Sequence, residues 1–388
     1  MLKRKHLLAV FYTVLALLES AVLTEACQVP VFRYALERWP ADSYGLAVFH
    51  NGPLSEEQQE IVASVGYDVN LELFTIDTAK MTAAQRVRFG DVRVESGRAL
   101  ARLYYPLESR QGDEALWEGD LTRQELARIV DSPVRRKIAK DILAGESAVW
   151  VILNSGNPEK DERVKKILNK HLEAICQYLE IPEGVAGPGE LDRVASGEVA
   201  MEDVLRSTIP LKISFTTVSI DIKAPEEEMF VKMLTGFVPG LMEQYPNQPL
   251  IFPVFGRGRT LDGIAEEMLT EELMASAGSY ICGACSCEVK RENPGIDLVM
   301  SMEWDDAIEG SAVVVDKQLP PLEGVGDLLA SADSLGESGA NLDSKELVKN
   351  DVAPKQSLSI MSYMGIFCLV ILLGLTVFTF IYNKRRSH

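Results

Sequence analysis

The sequence predicts an α/β chain with a membrane-directed segment at each end, and three features carry that prediction. Short β-branched and aromatic runs alternate with capped, amphipathic stretches between residues 44 and 304. An apolar run, Leu7 to Leu18, follows the basic cluster Lys3, Arg4 and Lys5. An uncharged run, Ile360 to Tyr382, ends against Lys384, Arg385 and Arg386. With 388 residues, 47% hydrophobic and 25% charged, the chain has enough apolar material for a sizeable core. The net charge of -18 argues against a binder of the nucleic-acid backbone, which needs a basic stripe.

Taken in order, Tyr44 to His50 reads as a strand and Asn51-Gly52-Pro53 as a turn. Ser55 with Glu56 and Glu57 opens a helix whose stripe is Ile61, Val62 and Val65. Asn70 to Asp77 alternates as a half-buried strand. Ala99 to Tyr105 is a strand stopped by Pro106, and Ala115 to Leu121 is its returning hairpin arm. Thr122-Arg-Gln-Glu125 is a capping box for a helix with Leu126, Ile129 and Val130 on one face. Ala148 to Leu153 is a further strand, and Pro158 to Leu179 a long helix. Gly184 to Gly197 reads as a linker. Beyond it come a strand at Ile213 to Ile222 and a helix with Met229, Phe230, Met233 and Leu234 on one face. A buried strand at Pro249 to Phe255, a helix over Leu261 to Ala277 and a strand at Ile296 to Trp304 complete the pattern.

The order strand, helix, strand, strand pair, helix in the first part resembles a thioredoxin domain. The Tyr104-Tyr105-Pro106 strand end and the Trp117-Glu-Gly-Asp-Leu121 arm look especially similar. A thioredoxin carries Cys-x-x-Cys directly after its first core strand, where this chain has His50-Asn51-Gly52-Pro53. The resemblance therefore implies a redox-silent domain, since disulfide exchange needs a thiolate.

The ends give the address. Thr24-Glu25-Ala26 before Cys27 reads as a signal-peptide cleavage site, with lipidation of Cys27 as a lesser alternative. Ile360 to Tyr382 spans about 34 Å as a helix, enough for a ~30 Å hydrocarbon core. The basic stop behind it places a short tail in the cytoplasm and the bulk of the chain outside, a single-pass type I arrangement. Removing Lys3, Arg4, Lys5, Lys384, Arg385 and Arg386 on one side, and Glu19 and Glu25 on the other, takes the exported part to a net charge of about -22. The expected organisation is a signal peptide at 1–26, a thioredoxin-like domain at 27–157, and a helix and linker at 158–206. A second, smaller α/β domain follows at 207–306, then a flexible stalk at 307–359, the transmembrane helix at 360–382 and a tail at 383–388.

The sharpest chemical motif is Cys282-Gly-Ala-Cys285-Ser-Cys287. It can form a structural disulfide, serve as a thiol–disulfide active site, or contribute to a metal site, and its place in an exported domain favours the disulfide. Three sulfurs fall short of the four ligands a structural zinc takes, so no metal is expected, nor any cofactor. Histidine is scarce: outside the two end segments only His50, at a strand end, and His171, on a solvated helix face, remain. No hydrolase or metalloprotease spacing surrounds them. Gly256-Arg257-Gly258-Arg259, between a strand and an expected helix, is a weak anion-binding candidate through its two arginines; a surface turn pairing with acids is the blander reading. The segment Cys27 to Trp39 is dense in large side chains and can pack under the first sheet, with Arg33 and Arg38 pairing with acids.

Three stretches together, Cys27-Gln-Val-Pro-Val-Phe-Arg-Tyr-Ala-Leu-Glu-Arg-Trp39, Phe252-Pro-Val-Phe-Gly-Arg-Gly-Arg259 and Cys282-Gly-Ala-Cys-Ser-Cys-Glu-Val-Lys290, resemble a family of bacterial exported proteins with a signal peptide and one C-terminal anchor. That resemblance implies architecture and address and no reaction. The expected function is a binding or assembly module at the cell envelope, anchored by one helix and meeting an envelope protein partner. The alternative is an envelope thiol–disulfide oxidoreductase using Cys282 and Cys285, with Cys287 either resolving a mixed disulfide or pairing with Cys176 or Cys27.

Overall fold

The computed structural model describes residues 27–107, 109, 114–285 and 289–309, all within one compact unit. Residues 1–26, read above as a signal peptide, the residues from 310 on with the Ile360–Tyr382 run, and Cys287 lie outside the described residues. Among the described residues no helix is long and apolar enough to cross a membrane.

The architecture is mixed α/β around two mixed sheets. The chain opens with helix α1 (Val31–Glu37), wholly buried. The first sheet holds β1 (Tyr44–His50), β2 (Leu71–Asp77), β3 (Ala99–Tyr104) and β4 (Ala115–Asp120) in the order β2-β1-β3-β4. Helix α2 (Glu56–Ala63) crosses from β1 to β2, and α3 (Ala83–Phe89) lies between β2 and β3. Helices α4 (Arg123–Val130) and α5 (Pro133–Leu143) follow β4. Ser55 with Gln58 and Thr82 with Gln85 form full capping boxes, each closing two orphan N–H groups at a helix start. At α4 the Thr122 side chain accepts from Glu125 N.

The second sheet follows the same plan. It holds β5 (Ala148–Asn154), β6 (Phe215–Asp221), β7 (Leu250–Phe255), β8 (Arg259–Thr260) and β10 (Ile296–Asp297) in the order β10-β8-β7-β5-β6, with β9 (Ile264–Ala265) also paired to β7. Helix α6 (Pro158–Ile175) and short α7 (Leu191–Ala195) lie between β5 and β6. Helices α8 (Glu228–Gly236) and α9 (Leu241–Gln244) lie between β6 and β7, and α10 (Glu271–Cys282) follows the strand pair. β5 runs parallel to β6 and antiparallel to β7, as β1 does to β2 and β3. The parallel ladders run from Tyr44↔Leu71 to His50↔Asp77 and from Ala148↔Phe215 to Asn154↔Asp221. The chain thus builds one strand order twice.

Several sequence readings are corrected. Ala148–Asn154, read with the first domain, is the central strand of the second sheet. The helix expected over Leu261–Ala277 begins at Glu271, capped by Thr270, because Ile264 and Ala265 pair with β7 instead. Gly263 permits that approach, since a Cβ there would lie 2.6 Å from the Phe252 ring. The strand expected over Ile296–Trp304 stops at Asp297: the Asn70 side chain takes Met300 N at 2.9 Å and donates to Leu298 O at 3.1 Å, which removes those groups from a ladder. Trp304 opens a last helix, α11 (Trp304–Glu309). The segment from Cys27 to Trp39 packs against the second sheet, with only Leu36 turned to the larger core. That larger core joins Leu46, Val48 and Leu103 of the first sheet to Val151, Leu153 and Phe252 of the second.

Candidate functional site

In a parallel α/β arrangement the usual binding position is the turn leaving the central strand, facing the N-terminus of the crossover helix. After β1 the turn passes through Gly52 at φ +84, and after β5 through Gly156 at φ +83, each two residues past the strand end. Neither turn carries a thiol. Each also closes its own helix. His50 donates from Nδ1 to Gly52 O at 2.6 Å, and Ser55 caps α2. In the second turn, Ser155 donates from both N and Oγ to Asp161 Oδ1, at 2.7 and 2.8 Å. Asn157 Oδ1 accepts from Glu159 N and Lys160 N. The positive helix ends that would stabilise a thiolate are occupied by the chain's own oxygens.

The cysteines sit elsewhere. Cys282 is the last residue of α10, and Cys285 follows Gly283 and Ala284; both are buried. A helix C-terminus presents its negative end, which disfavours a thiolate. Burial pushes the Cys282 thiol up to about 12, with nearby Cys176 adding to the effect and a Ser147 hydrogen bond opposing it. The thiol form is therefore the one held at neutral pH. Cys27, Cys176 and Cys282 carry free thiols. Backbone use explains the placement: Val31 N donates to Gly283 O at 3.0 Å, Cys285 N donates to Val29 O at 3.0 Å, and Pro30 bridges Ala284. The Cys-Gly-Ala-Cys stretch is a clasp on Val29 to Val31.

Arg257 lies in the turn from β7 to β8 and Arg259 opens β8, so no helix begins there. This corrects the expected helix N-terminus. Gly256 at φ +58 lets the turn reach α1, where a Cβ would fall 2.5 Å from Ala35 Cβ. Arg257 donates to Leu36 O at 2.8 Å and to Asp305 Oδ1 at 2.5 Å. Arg259 donates to Pro294 O, Asn293 O and Asp297 Oδ1, with its guanidinium 5.7 Å from the Trp39 ring centre. Both cations are engaged with the protein itself.

Sequence reasoning missed the polar cluster beside Arg259. Lys290 Nζ donates to Asp42 Oδ1 at 2.9 Å, to Pro40 O at 2.5 Å and to Asp297 Oδ2. Asp42 N donates to Asp297 Oδ2 at 2.7 Å. Burial, with the Asp297 charge beside it, holds the Asp42 carboxyl above its ordinary value. The cluster borders a cleft of about 290 Å³ that Pro106, Phe237 and Arg291 also line. Asp42 and Asp297 are 255 positions apart, so no local pattern could have joined them. Among the described residues no group of His, Cys, Asp and Glu side chains could hold a metal ion. No family model matches the chain, and no curated protein is similar to it.

Proposed function

We propose that this chain is a membrane-anchored, extracytoplasmic binding or assembly module, type I in orientation, built on two redox-silent thioredoxin-like units. The repeated order β2-β1-β3-β4 and β6-β5-β7-β8, with a helix in each parallel crossover, supports the thioredoxin-like reading of both halves. One observation carries the functional reading: at both strand-end turns a self-capping Gly-containing loop stands where a dithiol would work. The Asp42–Lys290–Asp297 cleft adds a shaped polar surface on the same unit. The rival oxidoreductase needs Cys282 or Cys285 at the surface as a thiolate, and both sulfurs are in the core.

The test is a disulfide-reduction assay on the full chain in detergent, with dithiothreitol as electron source and insulin as acceptor. The expected rate equals the reductant-only background, and Cys282→Ser and Cys285→Ser leave it there. Turnover above background that either substitution abolishes would overturn the proposal in favour of the oxidoreductase.

A further inference from the structure

Of the four buried acids among the described residues, Glu37 and Asp297 have cationic partners, whereas Asp203 and Glu227 have no ion pair, Glu227 accepting from Val134 N inside the fold. Glu37 receives Arg33, Arg206 N and Ser207 Oγ. Asp297 receives Arg259 and Lys290. Asp203 is 4% exposed, yet no ion pair joins it to a Lys or Arg among the described residues. Its side chain turns to the first residues described: Oδ1 accepts Gln28 N at 2.7 Å, and the Cys27 thiol is hydrogen-bonded to the same carboxylate. Arg38 makes no ion pair with Asp203: it donates to Val204 O at 3.0 Å, lies over the Tyr34 ring and leaves its Nε without a partner. A carboxylate withdrawn from water with only neutral donors is costly, and a cation in contact would offset that cost.

We infer that Asp203 is the receptor for a positive charge made by processing: the α-ammonium of Cys27, released when an export peptidase cuts the Ala26–Cys27 bond. Water supplies hydroxyl to the Ala26 acyl carbon and hydrogen to the Cys27 nitrogen; the products are the Ala26 carboxylate and an amine that takes up a proton. Cys27 N lies three bonds from the sulfur that already touches Asp203, and next along the backbone from the N–H that Oδ1 accepts. Before cleavage that nitrogen is a neutral amide continuing into residues 1–26. After cleavage it is a cation beside a buried anion. The new end then locks the strip from Cys27 to Trp39 into the second core, where Val29 and Phe32 are fully or almost fully buried. The site is therefore a processing-dependent latch. It rests on the reading of residues 1–26 as an export signal, and the first measurement below tests that part separately.

Full-length chain is purified from membranes, and its N-terminal peptide is identified by mass. It is then pulsed with acetic anhydride across pH, native and in urea, alongside Asp203→Asn. The peptide is expected to begin at Cys27 with an unmodified amine. Its native acetylation should be at least about tenfold slower than in urea, from local-opening control. Its titration should lie above the ordinary α-amino value of about 8, as an ion-paired amine requires. Asp203→Asn should lose most of that protection. A peptide that starts elsewhere, or carries an acyl group on Cys27, overturns the inference at the processing step. A Cys27 amine that labels natively at the urea rate, or titrates below 8, overturns the pairing alone. The wild-type measurements decide this even where Asp203→Asn fails to fold.

Discussion

At the residue scale the fold is held by arginines turned inward. Arg135, 1% exposed, donates to Ile129 O, Arg128 O, Val299 O and Ser132 Oγ, so one planar fork closes the end of α4 and ties it to the chain beyond β10. Burial draws it down to about 10, which still leaves it ionised at neutral pH. The buried thiol of Cys282 gives a sharper test of electrostatics. Its value rises from 9.0 unfolded to about 12 folded, chiefly by burial. A raised folded value means stability that is full below pH 9 and is lost as pH rises toward 12, because only the unfolded chain releases the proton easily. Urea midpoints at pH 8 and 10.5 should therefore fall for the native chain, and fall less for Cys282→Ala. Equal slopes would show that the thiol is not sealed from water. Of these residues the sequence made Cys282 visible as chemistry; it could not show that the helix ends there instead of beginning.

At the element scale, local signals were legible and long-range ones were not. β1, β2, β3 and β4 lie where alternation and turn residues put them, because each has a hydrophobic period and a punctuating Gly, Pro or Asp nearby. α3 and α5 escaped notice although Thr82 and Ser132 cap them, since their apolar stripes are short and Arg-rich. Short β8, β9 and β10 carry two residues each, too few for any period. The turns that leave the two central strands can be tested at this scale. Gly52 and Gly156 hold positive φ with open space where a Cβ would go. Gly52→Ala and Gly156→Ala should each cost about 1 kcal/mol, the backbone term alone. Gly256→Ala should cost clearly more in the same urea unfolding measurement, since its Cβ would collide with Ala35. Similar costs at all three positions would mean that α1 yields at that contact.

At the scale of the whole molecule the division near residue 157 separates elements that fold together. β5 is buried along Ala148 to Leu153, and both of its partners, β6 and β7, come later in the chain. A fragment of residues 27–157 should therefore show no cooperative unfolding transition by circular dichroism, because that strand would be stripped of both ladders. A sigmoidal transition from the fragment would mean that the first sheet is autonomous. The sequence could not reveal this, because which sheet a strand joins depends on partners far along the chain. The same distance hid the Asp42–Asp297 contact.

The clasp of Gly283 to Cys285 on Val29 to Val31 has a temporal consequence. Val29 to Val31 meets its partners at Gly283 to Cys285, about 250 residues later in the chain. At roughly 5–20 residues per second the interval is on the order of tens of seconds. Throughout it Val29, Val31, Phe32 and Trp39 would lack that part of their cover, so their protection would depend on a holding chaperone. For this chain, yield would be limited by the waiting time of that one strip.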